Sequence, residues 1–147
     1  MSPLTGTVID LEQVSDAVFS EGAIGKGVAI IPEQGKVVAP LSGSISTLFP
    51  TLHAIGIRGD NGIEVLIHLG MDTVNLSGRG FKSFVSQGDY VKQGEQLLEV
   101  DLDLLKNEGY ETQTPVIITN SGDFGDVSVK KYGEVTYKDE LIKVKKG

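Results

Sequence analysis

The stretch Ile63-Glu64-Val65-Leu66-Ile67-His68-Leu69 alternates with a period of two. A β-strand sends successive side chains to opposite faces, so Ile63, Val65, Ile67 and Leu69 form one apolar face that must look into a core. Glu64, Leu66 and His68 then lie on the other face, where His68 is placed to meet a partner. Immediately upstream, Arg58-Gly59-Asp60-Asn61-Gly62 is rich in residues that accept tight turns, which reads as a hairpin. A two-residue turn at Asp60-Asn61 sets His53 directly opposite His68, with Cβ atoms about 5 Å apart. A turn at Asn61-Gly62 moves the pairing by two and keeps both rings on one face. A shift of one aims His53 at the core, an outcome disfavoured because a buried imidazole needs polar partners of its own. Thr51 shares the alternating face with His53.

The rest of the chain follows the same grammar. Short apolar segments at 7–10, 27–32, 36–39, 43–48, 54–57, 96–100, 116–119, 127–129, 135–137 and 141–144 are separated by glycine, proline and polar turns, the pattern of an all-β sandwich or barrel. Residues 11–21 read as irregular. Only one segment reads as helix: Asp101 is placed to cap a turn containing Leu102, Leu104 and Leu105, and Gly109 to end it. The 19 glycines against 5 prolines suit strands joined by tight turns. A chain of 147 residues fills one core and is short for two domains, so residues 1–147 are expected to form a single domain.

Composition narrows the function. A net charge of −7 repels phosphate backbones and anionic lipids, which disfavours nucleic-acid and membrane-surface binding and suits a partner with a basic patch. The sequence has no cysteine, so disulfides, thiolate metal sites and cysteine nucleophiles are excluded. Met1-Ser2-Pro3-Leu4-Thr5-Gly6 has neither a basic nor an apolar region of a signal peptide. Apolar runs such as Val28-Ala29-Ile30-Ile31 fall far short of the roughly 20 residues of a membrane helix. A cytoplasmic location is the expectation.

Two histidines meeting across a hairpin leave three chemistries open. A metal site needs further ligands, for which Glu64 and Asp72 are the nearby carboxylates. A hydrolase needs a nucleophile with its base, and no Gly-x-Ser-x-Gly elbow is present. A phosphohistidine carrier needs one neutral imidazole nitrogen and donors for the phosphoryl oxygens, which a second imidazole and a threonine hydroxyl provide.

Phe49-Pro50-Thr51-Leu52-His53-Ala54-Ile55-Gly56, followed by Gly62-Ile63-Glu64-Val65-Leu66-Ile67-His68-Leu69-Gly70-Met71-Asp72-Thr73-Val74, resembles the active-site hairpin of glucose-type enzyme IIA domains of the bacterial phosphoenolpyruvate:sugar phosphotransferase system. The likeness continues through Leu76-Ser77-Gly78-Arg79-Gly80-Phe81, Gly88-Asp89-Tyr90-Val91-Lys92-Gln93-Gly94, Val100-Asp101-Leu102 and Thr114-Pro115-Val116. Upstream it includes Ser2-Pro3-Leu4-Thr5-Gly6 and Asp16-Ala17-Val18-Phe19-Ser20. The resemblance implies an antiparallel β-sandwich of barrel-sandwich hybrid type with one or two short helical turns. It further implies that His68 takes a phosphoryl group on Nε2 from the phosphocarrier HPr and passes it to a cysteine on the IIB domain of a sugar permease, without a cofactor or metal. By the same resemblance His53 stabilises the phosphate and Thr51 orients the histidine pair. Asp16, Val18, Phe19, Phe49, Leu66, Asp72 and Val74 form the docking surface. It also allows association with a membrane through the permease, and it names no sugar, which the membrane domain chooses.

The sequence departs from the family pattern at Leu69 and Met71, where phenylalanine and isoleucine are common. Both positions stay apolar, so the chemistry is untouched and partner choice is the property they bear on. Two other readings compete. Val38-Ala39-Pro40-Leu41-Ser42-Gly43-Ser44-Ile45 and Val85-Ser86-Gln87-Gly88-Asp89-Tyr90-Val91 resemble biotinyl and lipoyl carrier domains, but neither Met1 nor Met71 adjoins a lysine, and shared architecture does not transfer function. A regulatory protein switched by phosphorylation of His68 uses the same chemistry to a different end.

Overall fold

A computed structural model describes residues 1–14 and 24–145 of the chain, and the statements below concern those residues. The strands are β1 Gly6–Asp10, β2 Lys26–Pro32, β3 Lys36–Val38, β4 Gly43–Leu48, β5 Ala54–Gly59, β6 Glu64–His68, β7 Phe81–Ser83, β8 Tyr90–Val91 and β9 Gln96–Val100. Helix α1 Leu102–Asn107 follows, then β10 Thr114–Ile118, β11 Asp126–Val129, β12 Gly133–Val135 and β13 Ile142–Lys145. Eight of them form one sheet in the order β12-β1-β2-β10-β6-β5-β4-β8, with a second sheet β3-β9-β7 and a pair β11-β13. All pairings are antiparallel. The chain is the expected all-β antiparallel sandwich with a single short α-helix among the described residues.

The alternation of β6 is realised: Val65, Ile67 and Leu69 are buried while Glu64, Leu66 and His68 are partly exposed. The inward set joins a core with Ile30, Ile55, Ile57, Val37, Leu97 and Leu98, drawn from both sheets. The other face is not bare. Leu11, Val14, Ala29, Met71 and Ile117 form a second, smaller apolar cluster, and Ile117 pairs directly with Leu66. This covering of both faces explains why β10 is buried at every position and reads as a continuous apolar run.

Strand limits differ from expectation where the chemistry of a single residue misleads. The segment 116–119 starts late because Pro115 has no N–H to give a ladder. In the fold β10 begins at Thr114, and β6 lies alongside only from Val116 onward, which leaves Pro115 where the missing donor is tolerated. The last strands lie at Gly133–Val135 and Ile142–Lys145, one or two residues from 135–137 and 141–144. Strands β7 and β8, of three and two residues, are too short for periodicity to detect. The helix matches its signals: the Asp101 carboxylate accepts from Leu104 N–H at 3.1 Å, and Gly109 takes φ +85° just past the end.

Candidate functional site

The hairpin turn decides how the histidines meet. Gly59 N–H donates to the Ile63 carbonyl at 2.7 Å and Gly62 N–H to Gly59 at 3.0 Å, enclosing Asp60, Asn61 and Gly62. Gly62 has φ +87°. This is a three-residue loop closed by a left-handed glycine, not one of the two-residue turns considered from sequence. An odd loop shifts the register by one. Ala54 therefore faces His68, Ile55 faces Ile67 and Ile57 faces Val65.

That shift corrects the expected pairing of His53 with His68. The backbone of His53 instead lies opposite Leu69, whose N–H donates to the His53 carbonyl at 2.7 Å, and His53 is buried, at 5% exposure. The rings still meet, edge to face, with centroids 5.1 Å apart and planes at 81°. Alternation does not bind His53, because β5 begins only at Ala54 and Leu52 takes the left-handed φ of 59°. A tight turn, closed by Leu52 N–H to the Phe49 carbonyl at 2.8 Å, delivers the ring. The cost of burying it is met by a polar partner: Thr51 Oγ1 is 2.5 Å from His53 Nδ1. Phe49 packs edge-on against the same ring at 5.1 Å.

His68 is held from the chain that follows it. Its Nδ1 lies 2.8 Å from the Gly70 carbonyl oxygen. A carbonyl can only accept, so Nδ1 carries the proton, and in the neutral ring Nε2 carries the lone pair. Gly70 has φ +81°, and a Cβ there would sit 2.7 Å from Thr73 Cγ2 and 2.9 Å from the Glu111 carbonyl, so no other residue fits. The Gly70 carbonyl was not among the expected site groups; the signal for it was a glycine two residues after the histidine.

Burial, and secondarily the charge of His68, holds the pKa of His53 below the ordinary imidazole value. Both effects favour the neutral form of the His53 ring. Among the described residues no group of three His, Asp or Glu side chains is arranged to hold a metal ion.

The expected docking residues fall into three groups. Phe49, 38% exposed, and the partly buried Leu66 line one open cavity of about 390 Å³ together with Thr47 and Glu64, next to the histidines in sequence and sheet. Asp72 and Val74 are exposed in the loop after β6. Asp16, Val18 and Phe19 lie outside the described residues. No helix among the described residues is long and apolar enough to cross a membrane.

The antiparallel sandwich thus presents two histidines together at the end of its central hairpin, and the Gly70 carbonyl fixes the tautomer of one of them. The sequence profile of the family described as phosphoenolpyruvate-dependent sugar phosphotransferase system, EIIA 1, matches residues 1–124, and the chain belongs to that family. It is 48% identical over 141 residues to the PTS system beta-glucoside-specific EIIBCA component of Bacillus subtilis, covering 96% of this chain and 23% of the relative. It is 47% identical over 143 residues to the PTS system glucose-specific EIICBA component of Staphylococcus saprophyticus, covering 97% of this chain and 21% of the relative. The chain thus spans about a fifth to a quarter of the length of these relatives. Among solved structures, glucose permease IIA from Mycoplasma capricolum superposes with a TM-score of 0.90 at 42% identity, covering 96% of this chain and 91% of that one.

Proposed function

We propose that the chain is a single phosphocarrier domain in which His68 accepts a phosphoryl group on Nε2 from HPr and passes it to a cysteine of a IIB domain, in the service of sugar uptake. The observation that carries this reading is the contact of His68 Nδ1 with the Gly70 carbonyl at 2.8 Å, which leaves Nε2 as the nucleophile. Nε2 attacks the phosphorus of the donor's phosphohistidine. The new N–P bond forms as the donor's N–P bond breaks, and the broken bond's electron pair returns to the donor's ring nitrogen. The His68 ring then bears positive charge, so its Nδ1–H bond to Gly70 becomes charge-assisted. In the second transfer a cysteine thiolate attacks phosphorus, and His68 leaves as a neutral imidazole with its lone pair restored. No cofactor enters either step.

The neighbouring groups take supporting roles. A Thr51 hydroxyl that donates to His53 Nδ1 leaves the proton on His53 Nε2, as a donor for phosphoryl oxygens. The lowered pKa of His53 supports a neutral, singly protonated ring in this role. Phe49, Leu66, Asp72 and Val74 form the docking surface, to which the resemblance adds Asp16, Val18 and Phe19. The net charge of −7 suits basic partners. The relatives' names join A to B and C parts in one component, which supports a IIB domain as acceptor and a cytoplasmic domain associated with the membrane through a permease.

The test is incubation with the general phosphotransferase components and phosphoenolpyruvate. The chain is expected to gain an acid-labile phosphoryl group, and His68→Ala to gain none. Labelling of His68→Ala at normal yield would overturn the assignment.

A further inference from the structure

We propose that Thr73 is a positioning residue that sets the tautomer of His68 from below the loop; the proposal rests on His68 being the phosphoryl acceptor. Past His68 the ladder gives way to a loop in which four backbone groups are held by separate partners. Leu69 N–H donates to the His53 carbonyl at 2.7 Å, and the Leu69 carbonyl accepts from Thr73 Oγ1 at 2.6 Å. Met71 N–H donates to the Glu111 carbonyl at 3.0 Å. The Gly70 carbonyl and the Met71 N–H belong to one peptide plane, so that plane is held by Glu111 on one side and meets His68 Nδ1 on the other.

Thr73 holds the neighbouring plane through its hydroxyl, which bonds the Leu69 carbonyl. Its methyl stands where a Cβ on Gly70 would come within 2.7 Å. The side chain is fully buried, at 0% exposure, so water does not substitute for the hydroxyl. Both planes meet at the Gly70 Cα, whose backbone torsions, with φ at +81°, relate the held Leu69–Gly70 plane to the carbonyl that faces His68. Removing the hydroxyl while keeping the shape puts a methyl where an oxygen sits at 2.6 Å. A carbon needs about 3.3 Å or more to a carbonyl oxygen, so the Leu69–Gly70 segment must move and the Gly70 carbonyl turns away from Nδ1.

The experiment measures the imidazole ¹⁵N shifts of His68 in the wild type, Thr73→Val and Thr73→Ser, each checked for folding by its amide spectrum, alongside the rate of phosphoryl acceptance from phospho-HPr. The wild type is expected to hold the proton on Nδ1. In Thr73→Val the ratio favouring that tautomer is expected to fall about fivefold, the worth of one ordinary hydrogen bond, with acceptance slowed in step; Thr73→Ser restores both. A Thr73→Val chain that folds with the wild-type tautomer, or a Thr73→Ser chain that loses it, would overturn the proposal. Failure of the wild type to accept a phosphoryl group would instead count against the proposed function, while the nitrogen shifts would still decide the role of Thr73.

Discussion

His68 stands inside a regular strand, half-exposed, with its ring fixed by a backbone carbonyl two residues on. His53 stands one residue outside a strand, buried, with its ring fixed by a side-chain hydroxyl two residues back. The two rings touch, yet the surroundings give them different properties. A carbonyl can only accept, so it dictates which nitrogen of His68 keeps the proton. A hydroxyl can donate or accept, so the tautomer of His53 is free to follow its task. In the proposed chemistry the reactive ring is thus placed where a partner reaches it, and the helper ring where burial favours its neutral form.

Exchanging or deleting these surroundings tests the contrast. The largest effect is expected from His68→Ala, which should lower phosphoryl acceptance more than a thousandfold without moving the thermal midpoint by more than a surface substitution does. His53→Gln should still accept the group but pass it to a IIB domain about a hundredfold more slowly, the order expected for one lost oxyanion donor; unimpaired onward transfer would remove His53 from the chemistry. Thr51→Val should cost about tenfold in the same transfer, as loss of a partner that orients another group does, and quench-flow kinetics would read it. In contrast, Gly62→Ala should leave transfer unchanged. Nothing lies within 4 Å of a Cβ there, but φ is +87°, so the strain should appear only as about 1 kcal/mol in denaturant unfolding.

Acidification tests the burial of His53. The folded state holds the pKa of His53 below 6.5, so below that value the unfolded chain binds the proton more readily. The stabilising contribution is complete above pH 6.5 and is lost as the pH falls. The urea midpoint of the wild type should therefore drop more steeply between pH 7.5 and 5.5 than that of His53→Gln; parallel slopes would show that burial of His53 exerts no such effect.

The sequence carried the face of His68, the helix cap at Asp101 and the all-β class, because alternation and capping are local patterns. It did not carry the register of the hairpin. Asp60-Asn61-Gly62 holds two plausible two-residue turns, and only the closure of Gly59 on Ile63 makes the loop three residues long. The penalty that argued against a buried His53 was sound in kind, and Thr51 offsets it. That bond depends on a left-handed Leu52, which no propensity foretells. The Gly70 carbonyl, and the Leu69 carbonyl on which the proposed role of Thr73 rests, were hidden for a similar reason: backbone acceptors have no letter in the sequence. Glu111, 41 residues beyond Gly70, joins the loop only through tertiary structure.

The most direct measurement of the central claim is a ³¹P–¹⁵N correlation spectrum of the chain after phosphorylation. The fixed tautomer predicts phosphorus bonded to Nε2 of His68, with Nδ1 still protonated and bonded to the Gly70 carbonyl. Phosphorus on Nδ1 of His68, or on either nitrogen of His53, would contradict it.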